Sequence, residues 1–283
     1  MNKFRQIKQV INGIPSSDGD GVQLTRLIGS AYLEMLDPFL LFDAFGSDKP
    51  QDYIGGFPAH PHRGFETVSY MLAGKMRHKD SVGNEGIIEA GGVQWMTAGK
   101  GIIHSEMPEQ ENGLLSGFQL WVNLPASEKM VEPKYQEKSA EDIPIEYRDN
   151  VNSSSGVQLK IIAGKTINGT IGVVENALID PIYWDISMPG KNEFVDIIPE
   201  GYNAFVHVIE GEIEISEANI SKGKLAVLDD GNQVKIKSIS DSRLLLIAGK
   251  PLNEPVARGG PFVMNTREEI NQAFSDYRSG RFA

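Results

Sequence analysis

Three of the five histidines in this 283-residue chain, His60, His62 and His104, stand in two glycine-bounded phrases. The first reads Gly55-Gly-Phe-Pro-Ala-His-Pro-His-Arg-Gly-Phe-Glu66 and the second Ala98-Gly-Lys-Gly-Ile-Ile-His-Ser-Glu-Met-Pro108. Along a strand, residues two apart point to the same side. His60 and His62 therefore share one face, as do His104 and Glu106, and Glu66 has matching parity if its strand is regular. Three imidazoles and a carboxylate that converge suit a divalent transition metal with coordination positions left over. Open positions are what a catalytic site keeps and a closed structural site lacks. The chain has no cysteine, so thiolate ligands and disulfides are excluded. Lone histidines are ordinarily surface or hydrogen-bonded groups. His78, in the charge-rich Lys-Met-Arg-His-Lys-Asp at 75–80, is read as a solvated strand end, and His207, on an apolar strand, as core or rim.

The segments that must position these residues read as short strands. Thr67–Gly74 is β-branched and aromatic and ends at a turn glycine. Phe118, Leu120, Val122 and Leu124 alternate with Gln119, Trp121 and Asn123, a period of two that predicts a strand with one buried face. Residues 126–155 are charged and then Ser/Gly-rich, with Asn-Ser-Ser-Ser-Gly at 152–156, and read as a connector that holds a domain boundary. Short strands return at Val157–Ala163, Thr170–Val174, Tyr183–Met188, Ala204–Glu210, Ile213–Ser216 and Leu244–Ala248. The stretch from Val68 to Met76 echoes that from Phe205 to Ile213, which supports a duplicated all-β unit. Near the end the period changes. Thr266-Arg-Glu-Glu is a capping box, and Ile270, Ala273, Phe274 and Tyr277 follow helical spacing.

Length favours two domains, on a prior of roughly 100–200 residues each. The expected division is 1–135, carrying the metal, and 136–283, without ligands and ending in the helix. A net charge of −11 is a poor start for gripping nucleic acid or an anionic membrane. The amino-terminal residues lack the apolar core of a signal peptide, and no apolar run approaches the ~20 residues that span a bilayer. The expectation is a cytoplasmic protein.

By spacing alone, His-x-His followed by Glu66, with Gly101 to His104 as a second phrase, matches the ligand pattern of cupins, which are small jelly-roll β-barrels. From about Gly55 to Pro125 the resemblance is closer, to the pirin family, whose members carry two such barrels. It rests on His-Pro-His-Arg-Gly-Phe-Glu-Thr-Val at 60–68, on Val-Gln-Trp-Met-Thr-Ala-Gly-Lys-Gly-Ile-Ile-His-Ser-Glu-Met-Pro at 93–108, and on Gly-Pro-Phe-Val-Met-Asn-Thr at 260–266. The resemblance implies an all-β fold of two tandem cupin barrels with a short carboxy-terminal helix. It also implies one metal per chain, held by His60, His62, His104 and Glu106, with Glu66 as a hydrogen-bonding neighbour of the ligands. Iron is the metal it implies; the donor set also accepts Mn, Ni, Co, Cu or Zn. The second barrel lacks the constellation: Asn203 falls where Glu66 stands, and Gly223–Gly231 contains no histidine.

Two functions follow from the resemblance. One is a quercetin 2,3-dioxygenase, which opens a flavonol with O₂ and releases carbon monoxide. Glu106 would accept the substrate's proton, and Phe57, Trp95, Met96 and Met107 would hold a small flat aromatic ligand. The other is a metal-dependent regulatory protein, a transcription cofactor or modulator of a metabolic enzyme, that acts through a protein partner and without direct nucleic-acid or membrane contact. A metal-dependent isomerase acting on a sugar or keto acid is a third possibility, because fold does not fix chemistry.

Overall fold

The computed structural model describes residues 3–148, 156–176 and 179–283. Most of the expected Asn-Ser-Ser-Ser-Gly cluster lies outside the described residues. Two compact units emerge, and they interleave along the chain. One comprises residues 14–140 and 252–283, the other the residues up to Gly13 and 141–251.

Each unit is a seven-stranded antiparallel sheet with a four-stranded one, and the two follow the same topology. In the first unit the long sheet runs Lys134–Lys138, Val93–Thr97, Phe65–Ala73, Leu115–Asn123, Phe39–Ser47, Val22–Ile28 and Ile14–Asp18. Its short sheet runs Phe57–His62, Ile102–Pro108, Met76–Asp80 and Glu85–Ile88. In the second unit, Asn203–Glu210 and Glu212–Ile215 take the places of Phe65–Ala73 and Met76–Asp80. That is the pair of strands whose echo the sequence carries.

The linear division at 135/136 is corrected at both ends. Ile7–Asn12 pairs with Lys224–Leu228 and closes an edge of the second unit's long sheet. Residues 252–283 belong to the first unit. There the two-stranded ribbon Ala257–Gly259/Phe262–Met264 and the helix Arg267–Arg278 follow one another. The helix begins with the expected capping box, in which Thr266 Oγ1 accepts from the Glu269 N–H and the Glu269 carboxylate accepts from the Thr266 N–H. Ile270 and Ala273 bury with Phe262, Met264 and Phe282, against Ile103. Its apolar stripe thus covers the strand that carries His104, which is why it sorts with the first unit.

The charged connector does hold a boundary between the units, after residue 140, but it is not a plain linker. It folds into two edge strands, Lys134–Lys138 in one unit and Ile145–Arg148 in the other. Edge strands tolerate charge because one flank faces water. Thr170–Val174 forms isolated bridges, Ala163 with Val174 and Lys165 with Ile171, where a strand is expected. Gly169, at φ +96°, turns the chain there.

The two interiors differ. In the second unit Trp184, Phe194, Val206, Ile213, Ile236 and Leu246 belong to one large buried apolar cluster. In the first, apolar clusters such as that of Leu24, Phe45, Tyr53, Met71, Met76, Ile88 and Leu115 share the interior with the buried polar side chains of His62, Glu66, Ser69, Gln94, His104 and Glu106. Among the described residues no helix is long and apolar enough to cross a membrane.

His207, in the second unit, is buried as expected of a core residue. Burial lowers its pKa from 6.5 to about 4, and the Lys224 backbone opposes that shift. The unfolded chain therefore takes up this proton first. The stability linked to His207 is intact above pH 6.5 and falls as pH drops toward 4, by up to about 3 kcal/mol. Urea denaturation across this range should show that decline, and His207→Leu should flatten it relative to the wild type.

Candidate metal centre

The three histidines of the two phrases meet. Phe57–His62 and Ile102–Pro108 pair antiparallel, with His104 directly opposite His60 and Ile102 opposite His62. Donor nitrogens of His60, His62 and His104 all lie within 4.8 Å of one another. Their ring centroids are 4.5 to 5.1 Å apart.

The nitrogens are prepared as lone-pair donors. His60 Nδ1 lies 2.8 Å from the Pro58 carbonyl, to which it donates, so its lone pair sits on Nε2. That Nε2 is 3.0 Å from His62 Nε2. His104 is buried with neither ring nitrogen hydrogen-bonded. A buried ring with both nitrogens orphaned costs free energy unless something else takes its lone pair. Burial, then the rings of His104 and His60, hold His62 well below its ordinary 6.5, while the Pro261 carbonyl pulls the other way. Burial, then His60 and His78, do the same to His104 against the pull of Asp80. Neutral imidazoles at one point, one of them unsatisfied, fit a divalent first-row ion.

The two carboxylates have separate surroundings. Glu66 and Glu106 both lie outside the three-imidazole group. Glu66 Oε2 accepts from Trp95 Nε1 at 2.9 Å, and its Oε1 from Thr97 Oγ1 at 2.7 Å. Glu106 Oε1 is 2.7 Å from Ser69 Oγ, which in turn is 2.6 Å from Gln119 Oε1. One hydroxyl proton cannot serve two acceptor oxygens. If Ser69 donates to Glu106, the Gln119 amide must turn its NH₂ toward Ser69. Glu106 lines a cavity of about 710 Å³ together with His60, His62, Gln119 and Trp121.

Of the residues expected around the mouth, Phe57 lines this cavity. Trp95, Met96 and Met107 are absent from its lining; Trp95 and Met96 are buried, with Trp95 turned to Glu66. The aromatic wall is instead Trp121, whose indole meets the His62 ring edge-on at 5.2 Å. Trp121 and Gln119 occupy the face opposite Leu120 and Val122, so the period of two holds the signal; the second face borders a cavity. Arg258 and Pro261, also in the wall, come from 120 or more residues away, and nothing local marks them. His78 departs from the solvated reading. It is buried, 2.6 Å from Glu137 Oε2 and stacked on Tyr135.

Residues 252–283 hold the site from outside. Arg63, next to His62, donates to the Lys100 carbonyl, pairs with Asp276 at 2.8 Å and lies over the Phe282 ring. Lys129 is buried and donates to the carbonyls of Gly64 and Val263 and to Asn123 Oδ1, at 2.7 to 3.1 Å. Burial lowers its pKa to about 8. Two glycines permit the close approach. A Cβ on Gly64, at φ +86°, would lie 2.0 Å from the Val263 carbonyl oxygen, and one on Gly101, at φ +145°, 2.5 Å from that of Phe282.

A three-histidine cluster between the sheets of one barrel, with a second barrel packed apolar, defines a bicupin with one candidate metal site among the described residues. The pirin family model matches residues 21–122 and the pirin C-terminal cupin domain model residues 183–283. The chain belongs to the pirin family. It is 48% identical to a pirin-like protein of Caulobacter vibrioides over 98% of this chain and 99% of that one. It is 44% identical to human pirin, over 99% and 95% of the two chains. The crystal structure of a quercetin 2,3-dioxygenase from Acinetobacter baumannii superposes with a TM-score of 0.89 at 33% identity, covering 99% of each chain.

In the second unit, Glu193–Ile197 and Gln233–Ser238 hold the places of the two histidine strands. Phe194 and Asp196, Val234 and Ile236 stand there, all buried. Titration of metal-free protein with Fe(II), Mn(II) or Ni(II) should give one equivalent per chain by calorimetry. His104→Ala should weaken that binding by at least about tenfold to hundredfold, whereas His207→Leu should leave the stoichiometry at one.

Proposed function

We propose that the chain is a metal-dependent dioxygenase of the quercetin 2,3-dioxygenase type, with His60, His62, His104 and Glu106 as ligands of a single divalent ion. The reading is carried by three mutually close, mostly buried imidazoles, two of which, His60 and His62, line a cavity with an aromatic wall. Such a cavity suits a flat, largely apolar ligand with a few polar handles. The Acinetobacter baumannii enzyme's likeness over the whole chain supports the same class of reaction.

The bound ion would act as a Lewis acid that lowers the pKa of a coordinated hydroxyl. The remaining work falls to the chain's own groups. Trp121 and Phe57 would hold the flavonol plane, with its hydroxyl and ketone edge toward the histidines. Glu106 is the one carboxylate both near the histidines in sequence and exposed to the cavity, and it would take the 3-hydroxyl proton. Ser69 holds the Glu106 carboxylate in place by its hydroxyl. Glu66, held by Trp95 and Thr97, would stiffen the sheet behind the site. The net change consumes one flavonol and one O₂ and yields the opened ester and carbon monoxide.

Metal-loaded protein should consume oxygen and release carbon monoxide with quercetin, and His104→Ala should abolish both. Glu106→Gln should keep a share of its metal through the three imidazoles yet lose about 10²-fold or more in turnover. A fully metallated protein that turns over no flavonol would overturn the enzyme assignment in favour of a regulatory role.

A further inference from the structure

The cavity wall contains a cation that the proposed reaction does not use. Arg258 sits on the short strand Ala257–Gly259 and lines the cavity beside the histidines. Its guanidinium carbon lies 4.9 Å from the centre of the Trp121 ring, which also meets the His62 ring edge-on at 5.2 Å and the Phe65 ring at 4.4 Å. The two separations together bound the guanidinium within about 10 Å of the His62 ring. Trp121 thus touches both an arginine and a histidine of the candidate metal site.

The other arginine nearby is fully engaged. Arg26 binds both oxygens of Asp43, at 3.0 and 2.7 Å, and Asp18 at 2.9 Å. Among the described residues the Arg258 side chain has no hydrogen bond and no ion pair within contact distance; its guanidinium lies over the indole face, in the field of Asp43, Asp18 and Glu34. A guanidinium stacked on a ring keeps its in-plane N–H edge free, and that fork matches a carboxylate. Asp18, Asp20, Asp43 and Glu106 line the same cavity, and Arg26 is already bound to Asp18 and Asp43, so Arg258 is the one cation among the described lining residues and the one place where an anionic group would find free donors.

We propose that Arg258 is a specificity-determining residue. It pairs with an ionised carboxylate at the end of an aromatic ligand remote from the histidines, so that among flavonol-like ligands those with a remote carboxylate bind more tightly than those without one. The proposal rests on the metal-facing reading of the cavity, since it takes the histidine end as the anchor for the hydroxyl and ketone oxygens. Trp121 would then carry the ring system between the two anchors.

The test uses two probes with the same metal-facing edge, 4′-carboxy-3-hydroxyflavone and its methyl ester. Each is titrated anaerobically into metal-loaded full-length protein and followed by ligand fluorescence; oxygen uptake is measured separately. The acid should bind at least about tenfold more tightly than the ester to the wild type. In Arg258→Met the two should bind within about twofold of each other, with metal content unchanged, and Arg258→Lys should fall between. Equal binding of acid and ester to the wild type would overturn the role of Arg258, and would leave the dioxygenase reading intact if both are turned over. A preference for the acid that Arg258→Met removes, without oxygen uptake by either probe, would keep the anion subsite and overturn the dioxygenase. Failure of both probes to bind would overturn both.

Discussion

The pairing register between the strands Phe57–His62 and Ile102–Pro108 is the constraint on which the site depends. Side chains alternate along a strand, so a slip of one residue would turn His104 and Glu106 away from His60 and His62. The register is held on both sides. His104 faces His60 on one flank and Asp80 on the other; the pairing with the first strand shifts between His104 and Glu106, which stands opposite Phe57, whereas the pairing with Met76–Asp80 runs unbroken. Beyond the ends of the two strands, Gly64 and Gly101 leave room where any side chain would meet backbone of residues 252–283. The ribbon and helix can therefore press against the histidine strands and keep them from shifting.

Two copies of one topology have been filled in opposite ways. The second unit packs tryptophan, phenylalanine and branched aliphatics to the centre, which suits a unit whose contribution is stability. The first gives up part of that apolar filling for imidazoles, carboxylates, Ser69 and Gln119. Each buried polar atom left without a partner costs about 1–3 kcal/mol. The first unit offsets this with contacts from outside its interior: the Arg63–Asp276 pair, the Lys129 ammonium on three oxygens, and the aromatic cluster around Phe262.

Much of this was legible in the residues, and for local reasons. The parity of His60 with His62 and of His104 with Glu106 is a property of strands, and three of those four donors face one another as expected. Strand 157–163 and the capped helix are likewise set by short-range pattern. What the pattern could not carry is long-range. The pairing of Ile7–Asn12 with Lys224–Leu228 joins residues more than 200 apart, and nothing within either strand names its partner. Trp121 was visible as the polar-side member of an alternating strand, yet alternation does not distinguish a face in bulk water from a face bordering a cavity. The charged residues of 134–138 read as linker because an edge strand and a linker have similar composition.

The interleaving of the two units has a consequence for how the molecule is made. Arg258 and Pro261, together with the ribbon that brackets the histidine strands, emerge from the ribosome only after the whole of residues 141–251. During synthesis the histidine strands would thus be present for some time without one wall of their cavity, while the second unit, whose first strand is made at the outset, can be completed earlier. Ion capture before the wall arrives would take place in a more open cleft, accessible to whatever metals the cell's translating machinery encounters.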